Sequence, residues 1–404
     1  MTSPSWNKDA FLRCGNCCDQ VPMGRSSLCG CGTWSEVGYE ERVIGPGDHA
    51  QATQWLRRHR QVMTDGDELD LGQGNTPLVR LAALGPDLLL KDESANPTWS
   101  HKDRANATNA TVARLASAPG MAAQTTGNHG ASVAAFAAAA GLSSVILCRP
   151  GTPTELHAMI WAYGGIPVLA PPALNARALA ALAAAGYYPA TSLDLPELGS
   201  GNPYGAEAYK RVSWEIFDQL GAMPGAVVVP TASGDTFYGV TKGFAELATV
   251  TGMPAPLVIA VQPANANPLQ RSADIGRLVE VEEPASLALS IANARTGGHA
   301  LAALRRWPTL VVSVTESDIV RAVVDLNHAG HFLEPASAAA LAGYRVARSA
   351  RNVPDDKPSV LLGTASATKW ISRQAGQLRQ APLTTLDELA DELRQRDLAP
   401  ITTA

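Results

Sequence analysis

Short runs of β-branched and other apolar residues alternate along the chain with longer stretches that have helical character. SSVILCRP is followed by TELHAMIWAYGG, and IPVLAP is followed by ALNARALAALAAAG. Parallel sheets that are covered by helices produce this alternation. The sequence therefore predicts the α/β fold class.

Length, composition and charge narrow the classes of function. The chain has 404 residues, of which 46% are apolar and 17% charged, so it can form a large core with two domains and an appendage. The formal net charge of −5 gives no basic field, so nucleic acid is not an expected partner. No apolar run reaches the roughly 18 residues that span a bilayer, so a membrane is not expected either. The N-terminal MTSPSWNKDAFLRC lacks the apolar core of a secretory signal, which predicts a cytoplasmic protein.

One lysine lies where an amine loses its proton readily. The segment NPTWSHKDR, Asn96 to Arg104, follows the predicted strand DLLLKDE and places Lys102 at the start of the predicted helix DRANATNATVARLASA. The positive end of a helix dipole destabilises an ammonium and lowers its pKa. Such a lysine suits Schiff-base chemistry, whereas most lysines at surface turns are only solvated.

The same segment resembles the lysine motif of the fold-type II pyridoxal-phosphate enzymes. That family includes threonine synthase, cysteine synthase, the serine/threonine dehydratases and the tryptophan synthase β subunit. Four further segments resemble its motifs and stand in its order: GNTPL (Gly74 to Leu78), TTGNHG (Thr125 to Gly130), TASGDTFYG (Thr231 to Gly239) and GTASATK (Gly363 to Lys369). The resemblance is strongest to threonine synthase.

The resemblance implies an architecture as well as a cofactor. We expect two intertwined parallel-sheet domains of the tryptophan synthase β-like kind, with pyridoxal 5'-phosphate between them. Residues 1–45 would form a cysteine-rich N-terminal segment, and residues 46–404 the catalytic region with its two α/β subdomains. A homodimer is also expected.

The resemblance also assigns residues to the cofactor. Lys102 would hold it covalently, and the Asn128 amide would donate to the phenolate oxygen of its ring. Thr364 stands where threonine synthases carry a threonine that hydrogen-bonds the pyridine nitrogen. Ser366, two residues further on in a predicted strand, would face the same way. The predicted phosphate loop contains Thr231, Ala232, Ser233, Gly234, Asp235 and Thr236.

This loop follows the apolar strand AVVVP and precedes a helix, an arrangement in which backbone amides and the helix dipole hold a phosphate. Thr231, Ser233 and Thr236 would add hydroxyl donors. A plain connection is the alternative, since short βα loops are common in α/β proteins. Asp235 would repel a phosphate if it faced inward, but as a helix N-cap it would point at the helix amides instead.

The segment TTGNHG predicts the substrate site. Thr125, Thr126 and the amides at the helix start would hold the substrate carboxylate, and Gly127 would allow a close backbone approach. His129 stands where threonine synthases more often carry threonine and where some dehydratases carry histidine. A helix-terminal histidine with no chemical role is the alternative.

Three other residues near these motifs are unusual or open to two interpretations. His101 replaces the phenylalanine or valine that is common before the lysine, and Trp99 replaces a frequent glycine. Glu334, in HFLEPASAAALAG, either favours a helix N-terminus or contacts the cofactor.

Five of the six cysteines lie in the first 31 residues. A CxxC pair and a following CxC pair would place the thiolates of Cys14, Cys17, Cys29 and Cys31 around zinc. FLRCGNC resembles the first knuckle of the N-terminal ribbon of many threonine synthases, whereas LCGCG departs from the usual second half. Free thiols are the alternative.

The sequence therefore predicts a pyridoxal-phosphate-dependent lyase or synthase that acts at the β or γ carbon of a small amino acid. The threonine synthase reaction, from O-phosphohomoserine to threonine and phosphate, is the leading interpretation. A serine/threonine dehydratase and a β-replacing synthase such as cysteate or cysteine synthase are alternatives within this class. A degenerate ligand-binding scaffold is the alternative outside it, which the presence of Lys102 disfavours.

Overall fold

The computed structural model describes residues 10–15, 17, 18, 20, 21, 23, 35–39, 68–191, 202–282, 284–371 and 391. The chain divides into two compact units, Met1–Lys369 and Trp370–Ala404. The strands and α-helices given below lie in the first unit. The predicted boundary at residue 45 falls outside the described residues and stays a prediction.

The described residues form thirteen strands. They are β1 Ala10–Cys14, β2 Gln20–Val21, β3 Ser35–Tyr39, β4 Leu78–Arg80, β5 Leu88–Asp92, β6 Gly120–Thr125, β7 Ser143–Cys148, β8 Ile166–Leu169, β9 Tyr188–Pro189, β10 Ala226–Pro230, β11 Leu257–Pro263, β12 Thr309–Val314 and β13 Ser359–Gly363.

The described residues also form eleven α-helices. They are α1 Lys102–Leu115, α2 Asn128–Ala139, α3 Thr154–Ala162, α4 Pro172–Ala184, α5 Pro203–Ala208, α6 Lys210–Leu220, α7 Asp235–Thr251, α8 Pro268–Ile275, α9 Gly298–Arg306, α10 Glu316–His328 and α11 Pro335–Ser349. None of these helices is long and apolar enough to cross a membrane, within the part of the chain that is described.

The strands form two parallel sheets and a small antiparallel one. The larger parallel sheet has the order β12-β11-β10-β13-β5-β4, in which only β4 at the edge runs antiparallel to its neighbour. The second has the order β8-β7-β6-β9 and is parallel throughout. Since β6 to β9 lie between β5 and β10 in sequence, the two sheets are intertwined along the chain. This confirms the predicted α/β class.

Alternate residues of the central strand β10 pack on opposite faces of the larger sheet. All five residues of AVVVP are buried, as expected for a parallel strand that is covered on both sides. Val228 packs with residues of α10 and α11, while Val227 and Val229 pack with the buried face of α7, which includes Phe237. Because successive side chains of β10 point to opposite faces of the sheet, this strand contributes to two hydrophobic cores.

The carboxyl ends of four parallel strands lead into the predicted motifs. The lysine segment follows β5, TTGNHG begins at the end of β6, TASGDTFYG follows β10, and Thr364 follows β13. Ligands of open parallel sheets bind beyond the carboxyl ends of the strands. The topology therefore gathers the motifs where a ligand is expected.

The antiparallel sheet, with the order β2-β1-β3, docks on the main body through buried polar groups. Glu36 accepts hydrogen bonds from Tyr238 Oη (2.6 Å) and Arg306 Nη1 (2.8 Å). Tyr39 Oη donates to Glu207 Oε1 (2.9 Å), which also pairs with Lys210 (2.5 Å). These polar side chains are satisfied by one another, as burial requires.

Candidate active site

The lysine segment is supported by the GNTPL motif. The Gly74 amide donates to Asn96 Oδ1 (3.0 Å), and Thr76 Oγ1 donates to Glu93 Oε1 (2.7 Å). Arg104, which is 1% exposed, donates to Glu93 Oε2 through Nε (2.6 Å). The motif therefore fixes the segment that precedes Lys102.

Trp99 has a backbone φ of 60°, in the left-handed region that glycine adopts without strain. This explains why glycine suits the position in the family. The tryptophan keeps the turn and leaves 47% of its own surface exposed.

Lys102 is the first residue of α1 and lines a cleft. Burial lowers the pKa of Lys102, and the nearby carboxylates of Asp235 and Glu334 offset part of this effect. The helix dipole predicts the same direction from the sequence, and burial is the largest cause in the folded protein. An amine with a lowered pKa is a better nucleophile and base near neutral pH.

Asn128 and Glu334 form one wall of the cleft. Asn128 begins α2, and its Nδ2 donates to Glu334 Oε2 (2.8 Å). Its Oδ1 is buried and has no hydrogen-bond partner among the described residues. Glu334 occupies the N-cap position of α11, yet its side chain makes no cap hydrogen bond. The carboxylate thus binds Asn128 in the cleft instead of capping the helix.

The segment 231–236 also lines the cleft. Gly234 caps α7 with φ 107°, and the first amide that bonds back into the loop is that of Tyr238, which donates to Gly234 O (2.8 Å). The six amides from Ala232 to Phe237 donate no hydrogen bond within the described part of the chain. Six such donors around one loop are suited to binding an anion.

The side chains of this loop mostly form hydrogen bonds with other groups of the protein. Thr231 Oγ1 donates to Val229 O (2.7 Å), and Ser233 Oγ donates to Asp235 Oδ2 (2.8 Å). Thr236 hydrogen-bonds the Tyr209 hydroxyl. The backbone amides, more than the predicted hydroxyls, are therefore free to hold an anion.

Asp235 is not the N-cap of α7, so that part of the prediction is wrong. Gly234 takes the cap because its left-handed backbone suits glycine, and Asp235 is the first helical residue. The Asp235 carboxylate lines the cleft, with Oδ1 3.2 Å from His299 Nε2. Burial works to raise the pKa of Asp235, but His299, Lys102 and Ser233 together lower it. The carboxylate therefore stays charged, and the nearby Lys102 amine and the Ser233 hydroxyl stabilise it.

Thr364 lines the cleft beyond β13, and its Oγ1 lies 2.8 Å from Ser337 Oγ. Ser366 does not face the same way. The predicted strand ends at Gly363, so the two-residue spacing does not place Thr364 and Ser366 on one face. Ser366 Oγ instead lies 2.9 Å from Thr368 Oγ1, and Ser366 is not among the cleft residues.

Some residues of the TTGNHG segment stabilise its turn, and others line the cleft. Thr125 Oγ1 accepts from the amides of Gly127 (2.8 Å) and Gly130 (2.9 Å), so it shapes the turn. Thr126 and His129 line the cleft. His129 Nε2 lies 2.7 Å from Ala190 O.

The imidazole of His129 is neutral. Burial, followed by the charge of Lys102, lowers the pKa of His129 to about 4. Because Ala190 O can only accept, Nε2 carries the hydrogen of this ring. The other ring nitrogen, Nδ1, lies 3.4 Å from Asn106 Nδ2. His129 is therefore a fixed, uncharged part of the wall.

The order and placement of these motifs agree with a comparison against protein families. The family described as "Pyridoxal-phosphate dependent enzyme" matches residues 69–365. The chain belongs to this family. It is a pyridoxal-phosphate-dependent lyase with the fold-type II architecture.

Curated relatives of this pyridoxal-phosphate enzyme include threonine synthases. The protein from Halalkalibacterium halodurans is 28% identical over 304 residues, which cover 72% of this chain and 84% of the relative. The protein from Methanocaldococcus jannaschii is 28% identical over 384 residues, which cover 84% and 88%. Among solved structures, the L-serine ammonia-lyase from Rhizomucor miehei has a TM-score of 0.64 at 19% identity and covers 74% of this chain and 98% of its own. That structure shows the shared fold.

The cleft fits the cofactor that the family uses. The amides from Ala232 to Phe237 suit the oxygens of a phosphate. The partnerless atom of the Asn128 amide is Oδ1, an acceptor, whereas the donor Nδ2 already bonds Glu334 Oε2 (2.8 Å). The Lys102 amine lies in the same cleft. The phosphate and the aldehyde carbon of pyridoxal phosphate thus each have a complementary group in the cleft.

Some cleft residues of this pyridoxal-phosphate enzyme have no signal in the sequence. Ser290 and Ile291 line the cleft from a short 3-10 helix, Leu289–Ile291, and His299 contacts Asp235 from a plain GGHA context. Tyr209 lies between helices, with its ring centroid 5.8 Å from Lys102 Nζ. Only the fold brings these residues to the motifs.

The predicted metal ligands are only partly described. Cys14 is buried in β1 and Cys17 is exposed, whereas Cys29 and Cys31 lie outside the described residues. Among the residues that are described, no group of His, Cys, Asp and Glu could hold a metal ion. The zinc site stays a prediction.

Proposed function

We propose that this pyridoxal-phosphate-dependent lyase eliminates or replaces a group at the β or γ carbon of a small amino acid, as threonine synthase does. The observation that carries this is the Lys102 amine in a cleft between a loop of unbonded amides and Asn128. The threonine synthase relatives support O-phosphohomoserine as the substrate and threonine and phosphate as the products.

Lys102 has two tasks in this proposal. It binds the cofactor covalently, and once the substrate has displaced it, its free amine removes the proton from the α carbon. The lowered pKa of Lys102 keeps a useful fraction of this amine unprotonated. When bound, the cofactor supplies the electron sink that makes this carbon acidic.

The substrate carboxylate would be held at the start of α2. The amides of Asn128 and His129 donate no hydrogen bond within the described residues, and Thr126 lines the same part of the cleft. A helix N-terminus favours a carboxylate by its dipole and its unbonded amides. The neutral His129 would shape this subsite without adding charge.

The phosphate and ring would be held by different parts of the cleft. The amides from Ala232 to Phe237 would take the phosphate. Asn128 would donate to the phenolate oxygen through Nδ2, which would have to leave the Glu334 carboxylate that it bonds in this structure. Thr364 would hydrogen-bond the ring nitrogen through a neutral hydroxyl. Such a group does not keep that nitrogen protonated, which favours prompt loss of a leaving group over transamination.

A substrate screen tests the reaction. Purified holoenzyme is supplied separately with O-phosphohomoserine, phosphoserine, serine and threonine, and the release of phosphate and of keto acid is measured. We expect phosphate and threonine from O-phosphohomoserine. Keto acid from serine or threonine, with no reaction of the phosphorylated substrates, would support the dehydratase alternative, which the presence of His129 in the cleft favours.

We also propose a zinc knuckle in the N-terminal segment, a homodimer and a cytoplasmic location. A thiolate site binds zinc with a free energy large enough to order a segment that has little core of its own. Elemental analysis of protein purified without chelator is expected to show zinc, and Cys14→Ser to lower it while covalent cofactor is retained. Absence of zinc would contradict the knuckle, and a monomeric mass by light scattering would contradict the dimer.

A further inference from the structure

Asp235 is an unexpected residue in a loop that is suited to a phosphate. It lies within the run of six unbonded amides, Ala232 to Phe237, lines the cleft and is 5% exposed. A carboxylate at the start of a helix readily accepts hydrogen bonds from the first amides of that helix. Such bonds would occupy the donors that the phosphate needs. The protein must therefore hold this carboxylate away from the amides.

Two side chains hold the two oxygens of the Asp235 carboxylate. Ser233 Oγ donates to Oδ2 (2.8 Å), and His299 Nε2 lies 3.2 Å from Oδ1, within the distance of a hydrogen bond. Because a charged carboxylate can only accept, Nε2 is a nitrogen that carries a hydrogen. Both oxygens are thus directed at side-chain donors.

The segment that carries His299 also fixes the backbone of the loop. The Gly297 amide (2.7 Å) and Thr296 Oγ1 (3.0 Å) both donate to Ser233 O. Ala300 packs so closely against Gly234 that a Cβ at Gly234 would overlap it. With the contact from His299, this segment touches three successive residues of the loop.

The His299 ring is held in place by its surroundings. It is 5% exposed, and a Cβ at Gly297 would overlap it, so a glycine is needed beside the ring. The ring lies edge-on to Tyr238, with 5.6 Å between the centroids and an interplanar angle of 85°. Tyr238 Oη in turn donates to Glu36 (2.6 Å). Packing therefore keeps the ring beside Asp235.

We propose that His299 is a positioning residue of the cofactor site, which keeps the Asp235 carboxylate off the loop amides so that these can bind the phosphate of the cofactor. Without His299, the carboxylate would turn to the amides and compete with the phosphate as an internal anion. It would also repel the phosphate by its charge. This inference rests on the placement of the phosphate in the proposed function.

A comparison of two forms of the cofactor tests this role. The cofactor is removed from the holoenzyme, and pyridoxal 5'-phosphate or pyridoxal, which lacks the phosphate, is titrated back while tryptophan fluorescence is followed. The ratio of the two affinities reports the contribution of the phosphate site. We expect the wild type to bind the phosphorylated form much more tightly.

His299→Phe keeps a ring beside Tyr238 but lacks the donor to Asp235. Its affinity for pyridoxal 5'-phosphate is expected to fall about a hundredfold, as when one partner of a buried charged hydrogen bond is removed, while its affinity for pyridoxal changes little. His299→Gln keeps a donor near the position of Nε2 and is expected to retain most of the preference for the phosphorylated form. His328→Phe, at an exposed histidine that ends α10, is the matched control and is expected to change neither affinity.

Asp235→Ala separates this role from general support of the fold. It removes the carboxylate that His299 holds, so adding His299→Phe to it is expected to lower the affinity for pyridoxal 5'-phosphate by no more than about threefold. An effect of His299→Phe that is equally large with and without the Asp235 carboxylate would show that His299 acts by packing alone, and would overturn the proposal.

Two further results would also decide against it. One is a His299→Phe enzyme with the wild-type preference for the phosphorylated form, which would overturn the role of His299. The other is a wild type that binds both forms equally, which would contradict the phosphate placement and this proposal with it. Neither measurement involves the substrate screen, so failure of the assigned reaction is recognised separately.

A spectroscopic measurement gives a second readout. The histidine signal that disappears in His299→Phe is expected to show hydrogen on Nε2 in nitrogen-correlated NMR. A ring without hydrogen on Nε2 would contradict the proposal.

Discussion

At the scale of one residue, we propose that Thr364 determines which reaction follows proton removal. Its Oγ1 is a neutral group that lies 2.8 Å from Ser337 Oγ. Thr364→Asp would add a negative charge that keeps a nearby ring nitrogen protonated and strengthens the electron sink. We expect slower elimination or replacement and about tenfold more transamination, measured as keto acid from an amino acid without a leaving group.

Thr364→Ser keeps the hydroxyl and serves as the control for this prediction. It is expected to retain the reaction of the wild type. Unchanged transamination in Thr364→Asp, with the cofactor still bound, would show that Thr364 does not act on the ring nitrogen.

The buried amine of Lys369 makes the stability of the protein depend on pH. It is 1% exposed, and its Nζ donates to Thr98 O (2.8 Å), beside the lysine segment. Burial lowers the pKa of Lys369 to about 8, although Glu334 and Asp103 oppose the effect. Between about pH 8 and the unfolded value of 10.5, the unfolded chain therefore holds more protons than the folded one.

The free energy of unfolding should then rise with pH in this window, relative to a variant without the amine. Across this window, we expect the free energy of unfolding of the wild type to rise by about 3 kcal/mol relative to that of Lys369→Met. Below the window, the folded wild type bears the full cost of burying the protonated amine. Denaturant unfolding of both proteins at pH values on either side of the window measures this gain. A difference that does not vary with pH would contradict the lowered pKa.

At the scale of elements, the start of α7 depends on a glycine. Gly234 has φ 107°, and a Cβ there would lie 2.2 Å from Ala300 Cβ. Gly234→Ala should therefore displace the loop of free amides and weaken cofactor retention, at a backbone cost of about 1–3 kcal/mol. Cofactor content after dialysis and thermal unfolding measure the two effects.

Gly276→Ala is the matched control for this prediction. Gly276 also has a left-handed backbone, with φ 80°, but it ends α8 and a Cβ there meets nothing within 4 Å. It is expected to cost stability without loss of cofactor. Equal cofactor loss in both variants would show that backbone strain alone, and not the phosphate loop, is responsible.

Several element boundaries could be predicted because their signals are local. Thr315 and Asp318 form a capping box at the start of α10, as the sequence pattern suggests. The alignment of Thr364 with Ser366 failed because β13 ends at Gly363, and tertiary bridges instead of a strand continue beyond it. The N-cap of α7 was misassigned because Asp235 is a good cap by type, while the backbone angle required Gly234.

At the scale of the whole molecule, the motif order predicted the fold and the main walls of the cleft. Four of the five motifs begin at or after the end of a parallel strand, so topology brings Lys102, Asn128 and Thr364 together, whereas GNTPL precedes the antiparallel edge strand β4. His299 and Tyr209 could not be predicted, because their place in the site depends on how α6, α7 and α9 pack. The sequence also could not show that burial lowers the pKa of Lys102, since burial depends on the folded structure of the whole molecule.

The central claim is that Lys102 is the lysine that carries the cofactor. Borohydride reduction of the purified holoenzyme, followed by peptide mapping, tests it most directly. We expect a pyridoxyl group on Lys102 alone, and no covalent cofactor and almost no activity in Lys102→Ala. A pyridoxyl group on another buried lysine, such as Lys91, Lys210 or Lys369, or on no lysine at all, would contradict the account.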